Sequence, residues 1–515
     1  ISKNHPDSIY VARLSSPLVI GVGKNEHFIG SDASPLLDKT KKVVFLDDYE
    51  TAKISAKKIK IHNLRKQIEV ERKAEELDYD HEKVSLGDYD HYMLKEIFEA
   101  PQTIQSATRG RIRPEQNIVK LGGLVNVSEE LRYIDRIVIV ACGTSFYAGM
   151  VGEYLIEEIA GIPVEVQLAS EFKYRNEPFS RSTALLAISQ SGETADTIAA
   201  IKKVEDYGVL KLGIVNAVGS TISRITDAGV YCHAGPELSV ASTKAFIAQV
   251  TVLADIALYL SQGKSNLYSS LLKELLRLPG KVQEILDNKN TYEKIAAKYS
   301  GYKDFLYIGR GYSYPCALEG ALKLKEISYI HAEGYGAGEM KHGPLAMIDK
   351  NFPTFALAPA DSLLDKTLSN IEEIKARGGP VVALTTKGNK SVARKADDCF
   401  YIPKTTEQLQ PILIAVALQL FAYHVAVHKG LDVDRPRARA EERLGPEGAA
   451  SLGKVGVEVG EEDGLQVRVA EVGRGDAHGH LLASTADADV DSGPVTGRGQ
   501  ERGDLDIELV LSRVA

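Results

Sequence analysis

The chain has 515 residues, of which 44% are hydrophobic and 26% charged, with a net charge of −8; that length excludes a single small domain and allows two or three, each with its own core. The acidic balance and the absence of any Lys/Arg cluster interleaved with aromatics argue against nucleic acid as a partner, so an anionic ligand would have to be held locally. Four cysteines, Cys142, Cys232, Cys316 and Cys399, never fall at metal-ligand or CxxC spacing, which predicts reduced, mostly structural thiols in a cytoplasmic protein.

Residues 1 to about 85 open on strand-like runs at 8–13 and 18–22, followed by a charged stretch from Lys66 to Lys83 that reads as an exposed segment or linker. From about 90 to 430, apolar strands alternate with helical periods, the signature of an α/β fold built from βαβ units around a parallel sheet. An internal duplication is visible there. The run Ile137-Val138-Ile139-Val140-Ala141-Cys142-Gly143-Thr144-Ser145 matches Phe305-Leu306-Tyr307-Ile308-Gly309-Arg310-Gly311, predicting two similar sandwiches at about 125–265 and 297–430. A later strand is matched in each, at 185–188 and 381–384. The longest apolar stretch, 412–423, is interrupted by Gln419 and reads as too short for a bilayer, so no membrane association is expected. From Ala438 the composition changes: Lys454 is the only lysine, Ile507 the only isoleucine, and Tyr and Phe are missing. The block 438–515 therefore reads as an atypical, poorly packed tail, in which a short strand at 464–469 remains open.

Chemistry concentrates in two constellations. The segment Ser189-Gln190-Ser191-Gly192-Glu193-Thr194 follows an apolar strand and opens a helix. Hydroxyls with free N–H groups at a helix start surround a phosphate without needing lysine. Cys142-Gly143-Thr144-Ser145 and Val240-Ala241-Ser242-Thr243-Lys244 are expected to converge with it at the edge of the first sheet, where open α/β folds place ligands. An isolated Ser/Thr turn is an ordinary helix cap; the repetition favours a phosphate or sugar-hydroxyl site. The second constellation runs through Glu319, Lys323 and Glu326 to His342-Gly343-Pro344. Lys323 and Glu326 share a helix face, as a solvated ion pair also would. Moving a proton between adjacent sugar carbons needs a carboxylate, and opening a sugar ring needs a group titrating near neutrality; Glu326 and His342 fit these roles, although a His beside Gly-Pro equally suits a loop.

The runs at 141–145, 189–197, 240–246 and 322–344, with His91-Tyr92-Met93-Leu94-Lys95-Glu96-Ile97 and Gly430-Leu431-Asp432-Val433-Asp434-Arg435-Pro436-Arg437, closely resemble the glutamine–fructose-6-phosphate aminotransferase (isomerizing) family over residues 1 to about 437. The resemblance implies two sugar-isomerase (SIS) domains that bind fructose 6-phosphate, preceded by the end of a glutaminase domain in 1–85. It implies phosphate and sugar contacts at Thr144, Ser145, Ser189, Gln190, Ser191, Thr194, Val240 and Ser242. It also implies an acid–base glutamate at Glu326, an accompanying lysine at Lys323, and a ring-opening histidine at His342 donated across a homodimer interface. Separately, the sequence has no metal ligands or nucleotide fingerprint at useful spacing, so no cofactor or metal is expected.

The pattern departs from the family in two places. The family opens on a glutaminase whose N-terminal cysteine attacks glutamine. This sequence starts at Ile1, with a match at His5-Pro6-Asp7 and Ser31-Asp32 to that domain's closing strands, so ammonia rather than glutamine is the expected nitrogen source. After Pro436-Arg437 the family continues Asn-Leu-Ala-Lys, and its lysine forms an imine with the open-chain sugar. Here Ala438-Arg439-Ala440-Glu441 follows, which predicts impaired turnover, a non-catalytic sugar-phosphate-binding module as the alternative, and a frame-shifted or fused origin for 438–515.

Overall fold

The computed structural model describes residues 7–13, 18–30, 36, 39–76 and 85–435. The tail from Ala438, with Glu441, Lys454 and the strand considered at 464–469, lies outside the described residues, as do His5, Pro6, Ser31 and Asp32. Two compact units divide the chain, one holding residues up to Tyr79 and the other Asp80–Arg437.

The regular structure described in the N-terminal unit is mainly β-strand. Strands Ser8–Arg13, Glu50–Ser55, Lys58–Asn63 and Ile68–Val70 form one antiparallel sheet, and His27–Gly30, Val19–Val22, Lys42–Phe45 and Glu75–Glu76 another. Ile20, Val44, Leu46, Ala52, Ile54 and Ile61 fill one core between them. Alternation in Glu50–Ser55, buried at every second residue, is what a half-buried strand requires. The charged stretch, expected as an exposed segment or linker, contributes the largely exposed edge strands Ile68–Val70 and Glu75–Glu76. Edge strands tolerate charge because one side of the ladder faces water.

The second unit carries two five-stranded parallel sheets. The first comprises β1 (Arg136–Ala141), β2 (Val164–Leu168), β3 (Thr183–Ser189), β4 (Leu210–Val215) and β5 (Ala228–Tyr231); the second comprises β6 (Asp304–Gly309), β7 (His331–Gly336), β8 (Thr354–Ala358), β9 (Val381–Thr386) and β10 (Asp398–Ile402). Their spatial orders, β2-β1-β3-β4-β5 and β7-β6-β8-β9-β10, are identical, the doubly wound flavodoxin-like order. Strand β3 is buried at all seven positions, as a parallel strand covered on both faces should be. The duplication is thus seen in topology, with one correction: 185–188 lies in β3, whose counterpart is β8, whereas 381–384 lies in β9, the counterpart of β4. Strands β3, β8 and β9 each carry an apolar run, so pattern alone gives no register between copies.

Among the helices around the two sheets, those that bear on the site are α1 (Tyr92–Phe98), α2 (Gly143–Ala160), α3 (Ala195–Lys203), α4 (Lys244–Ser261), α5 (Ser313–Ser328) and α6 (Gln410–His428). Every residue of α6 from Gln410 to Ala426 is buried. The apolar stretch 412–423 is therefore part of a longer helix, and the segments Lys244–Ser261 and Glu407–His428 are long and apolar enough to cross a membrane. Each has 89% of its apolar window buried inside the protein, and a helix apolar all round is what a core between two sheets demands.

Candidate active site

Strands β1 and β3 are parallel neighbours, with Val140 opposite Ala187, and the chain leaves them toward opposite sides of the sheet. Their following loops therefore emerge side by side at the switch point where such folds bind ligands. After β3, the Ser189 and Thr194 hydroxyls lie 2.9 Å apart, Gly192 N–H donates to Ser189 Oγ at 3.0 Å, and Glu193 N–H donates to Ser191 Oγ at 3.1 Å. Thr194 precedes α3 without capping it through its side chain. Gly192 has φ +66°, and a Cβ there would lie 2.1 Å from Ser220 Oγ, so the turn requires glycine. Glu193 is acidic, yet its carboxylate is drawn away to accept from Thr221 N–H at 2.7 Å. Gln190 fastens the loop through its carbonyl, which accepts from Asn216 N–H at 3.1 Å.

After β1, Gly143 turns with φ +54° into α2. Thr144 Oγ1 donates to Glu319 Oε1 on α5 at 3.3 Å, and Ser145 Oγ accepts from Gln249 Nε2 on α4 at 2.9 Å. The third loop, 238–243, is pinned by two carboxylates. Glu96 on α1 accepts from Leu238 N–H, Ser239 N–H and Ser239 Oγ, while Glu237 accepts from Ser242 Oγ at 3.0 Å and from Thr243 and Ala245 N–H at 2.8 and 3.0 Å. Val240 N–H donates to Asp434 O at 3.3 Å, and the Asp434 carboxylate accepts from Tyr92 and Met93 N–H at the start of α1. The last described residues therefore sit against this loop. Burial and the neighbouring Glu237 push the Glu96 carboxyl up to about 7.

Helix α5 carries an inward acid–base stripe. Lys323 is 1% exposed and lies 2.7 Å from Glu326, itself 29% exposed, and 3.8 Å from Glu319. The pair is not solvated: one end is in the core and the other reaches the surface. Burial pushes Glu319 up to about 7 against the pull of Lys323. Burial also opposes the Lys323 charge, but Glu319, Glu326 and Glu237 together hold its ammonium above the ordinary lysine range. Coulomb attraction in a poorly solvated site is strong enough to produce that sign.

His342 ends the turn Glu339–His342 after β7 and is exposed. Among the described residues it makes no hydrogen bond or ion pair with Glu326 or the cradle, so the single chain does not assemble this pair. Sequence reasoning names Glu319 but gives it no role, and it misses Glu237, Glu96 and Gln249. The Glu319–Lys323–Glu326 spacing (i, i+4, i+7) is a readable signal for the first. Glu96 and Gln249 act through contacts across the fold, whereas Glu237 bonds residues five to eight positions on in its own loop.

The SIS domain family model matches residues 130–258 and 299–429. The glutamine–fructose-6-phosphate aminotransferase (isomerizing) of Chlorobaculum tepidum is 48% identical over 444 residues, covering 86% of this chain and 72% of that protein, and the Thermotoga maritima protein of the same name is 42% identical over 446 residues, covering 86% and 73%. Among solved structures, the C-terminal domain of glucosamine-fructose-6-phosphate aminotransferase from Francisella tularensis superposes with a TM-score of 0.65 at 38% identity, covering 68% of this chain and 99% of that one. The tagatose-6-phosphate ketose/aldose isomerase of Escherichia coli, at 16% identity and TM-score 0.56, covers 68% and 96% and shares the fold. With two SIS matches, that identity and a hydroxyl-lined switch point in the first sheet, the chain belongs to the glutamine–fructose-6-phosphate aminotransferase (isomerizing) family.

Proposed function

We propose that the second unit binds fructose 6-phosphate at the first switch point and converts it with ammonia to glucosamine 6-phosphate and water. The phosphate is held by Ser189, Gln190, Ser191 and Thr194 with Ser145, where helix-start N–H groups favour an anion and Glu193 is turned away. Thr144, Val240 and Ser242 face the sugar. His342, supplied by a second copy in a homodimer, opens the ring. Ammonia adds to the C2 ketone and expels water, forming a C2 imine. Glu326 then takes a proton from C1 and returns it to C2; the O1 proton passes to nitrogen as C1 becomes the aldehyde, and Lys323, donating to the Glu326 carboxylate at 2.7 Å, positions it for this transfer. No cofactor enters these steps. Domain limits of 125–265 and 297–430 go with this reading, as does a cytoplasmic location.

The single observation that carries it is the chain of contacts from cradle to base: Thr144 Oγ1 to Glu319, then Lys323, then Glu326. It joins the loop after β1 of one sandwich, at the same switch point as the 189–194 turn, to the acid–base helix of the other. A second reading, binding without turnover, is favoured by Glu441 at the place of the family's imine-forming lysine, directly after the segment anchored at Asp434. Calorimetric titration of the full chain with fructose 6-phosphate, with ammonium-dependent glucosamine 6-phosphate formation on the same sample, separates the two. Binding with product supports the enzyme, binding without product the module, and no binding sinks both.

A further inference from the structure

The first switch point is divided by charge. The turn at 189–194 shows hydroxyls and amides, with its one carboxylate drawn off by Thr221 N–H. The loop at 238–243 is instead built around carboxylates: Glu96 holds its first half and Glu237 its second, and neither enters the proton transfer proposed above. Glu237 Oε1 accepts from two N–H groups at the start of α4, taking the place of an N-cap side chain that Thr243 does not supply. Its Oε2 takes the Ser242 proton at 3.0 Å. A hydroxyl has one proton and two lone pairs. With that proton committed to a carboxylate, half-buried Ser242 offers only lone pairs. A phosphate, which brings only acceptors, finds no donor there and meets a negative charge beside it; a sugar hydroxyl, which brings a proton, is accepted.

We infer that Glu237 is a positioning residue that sets the polarity of the 240–244 loop, so that this side of the site accepts sugar hydroxyls and excludes the anionic end of the ligand. The inference rests on the sugar-phosphate reading and gives it a direction: phosphate on the 189–194 turn, hydroxyl-bearing carbons toward 240–244 and α5. Glu237 does not touch the reacting atoms. It acts through Ser242 and through the first turn of α4.

Glu237→Gln tests this on the full chain. The amide keeps an oxygen for the Thr243 and Ala245 N–H groups, but its nitrogen donates to Ser242 and reverses that hydroxyl. Fructose 6-phosphate affinity should fall about tenfold, the loss of one hydrogen bond involving a charged group. Inorganic phosphate, measured by its thermal shift, should bind as well as before or better. Glu237→Ala should in addition speed amide exchange at Thr243 and Ala245 by about tenfold or more, since it removes their acceptor. Exchange unchanged in Glu237→Ala overturns the inference, and so does equal weakening of phosphate and sugar phosphate in Glu237→Gln. If the unaltered chain binds phosphate but not fructose 6-phosphate, the sugar reading fails. Faster exchange in Glu237→Ala then still establishes the clamp, and the hydroxyl-accepting role is overturned.

Discussion

The two sandwiches share one strand order and differ in what stands at the equivalent point. After β3 the first presents Ser189, Ser191 and Thr194 around a glycine turn. After β8 the second presents Pro359-Ala360-Asp361-Ser362, where Ser362 N–H and Oγ both donate to Glu407. Burial pushes the Asp361 carboxyl up to about 6, with Glu407 adding to the shift. One edge is therefore hospitable to an anion, and the other is lined with carboxylates already engaged by their own loop. The second sandwich contributes differently, through the Glu319–Lys323–Glu326 face of α5 laid against the first. A doubly wound sheet fixes where a ligand sits; the side chains in two short loops decide whether one does.

The sharpest way to break this contrast is through α5. Glu326→Gln should lower ammonium-dependent product formation by roughly two to four orders of magnitude, the usual scale of a lost general base, while fructose 6-phosphate still binds by calorimetry. Unchanged turnover would remove the second sandwich from the chemistry. Next in size, Lys323→Met leaves two acids facing each other without their cation. Breaking a buried pair on one side costs about 3–5 kcal/mol, to be read as a lower denaturant midpoint. Ser189→Ala with Ser191→Ala should weaken fructose 6-phosphate by roughly 1–3 kcal/mol per hydrogen bond to charge, whereas Ser362→Ala in the second sandwich should leave the affinity alone. Equal effects would mean that the two edges are functionally alike.

A pH-dependent effect concerns the core of the first sandwich. Asp255 on α4 is fully buried, neither of its carboxylate oxygens has a hydrogen-bond partner, and burial pushes it up to about 8 despite Arg111 nearby. Its folded pKa is thus above the unfolded one, so the folded state holds a proton that the unfolded state has lost. That contribution is complete below about 4 and disappears as pH rises toward 8. Asp255→Asn should flatten this part of the decline in urea midpoints between those pH values. An identical slope in both proteins would show that Asp255 ionises without cost.

Much of the fold is legible in the chain alone. Apolar runs bounded by glycine announce the parallel strands, and the serine-rich turn announces the cradle, because both depend on residues adjacent in sequence. Strand correspondence between the copies is not legible: β3, β8 and β9 each carry an apolar run, so 381–384 matches 185–188 by pattern although it lies one strand further along. The ion pair at Lys323 and Glu326 follows from helical spacing, but its depth does not, since spacing says nothing of what covers a helix. His342 stands out through a Gly-Pro turn and a family likeness, and within one chain it is exposed and apart.

By itself, the amino-acid sequence determined the α/β class, the serine-rich turn at 189–194 and the stripe on α5 from short runs, by periodicity and turn chemistry, and the duplication from the likeness of two such runs. Only the tertiary structure decided that Thr144 meets Glu319, that Glu96 and Glu237 pin a loop about 140 residues from α1 in one case and adjacent in the other, and that Lys323 is charged in the dark of the core. Apart from the short-range Glu237 contacts, those facts depend on desolvation and on partners distant in sequence, and neither is written in any local pattern.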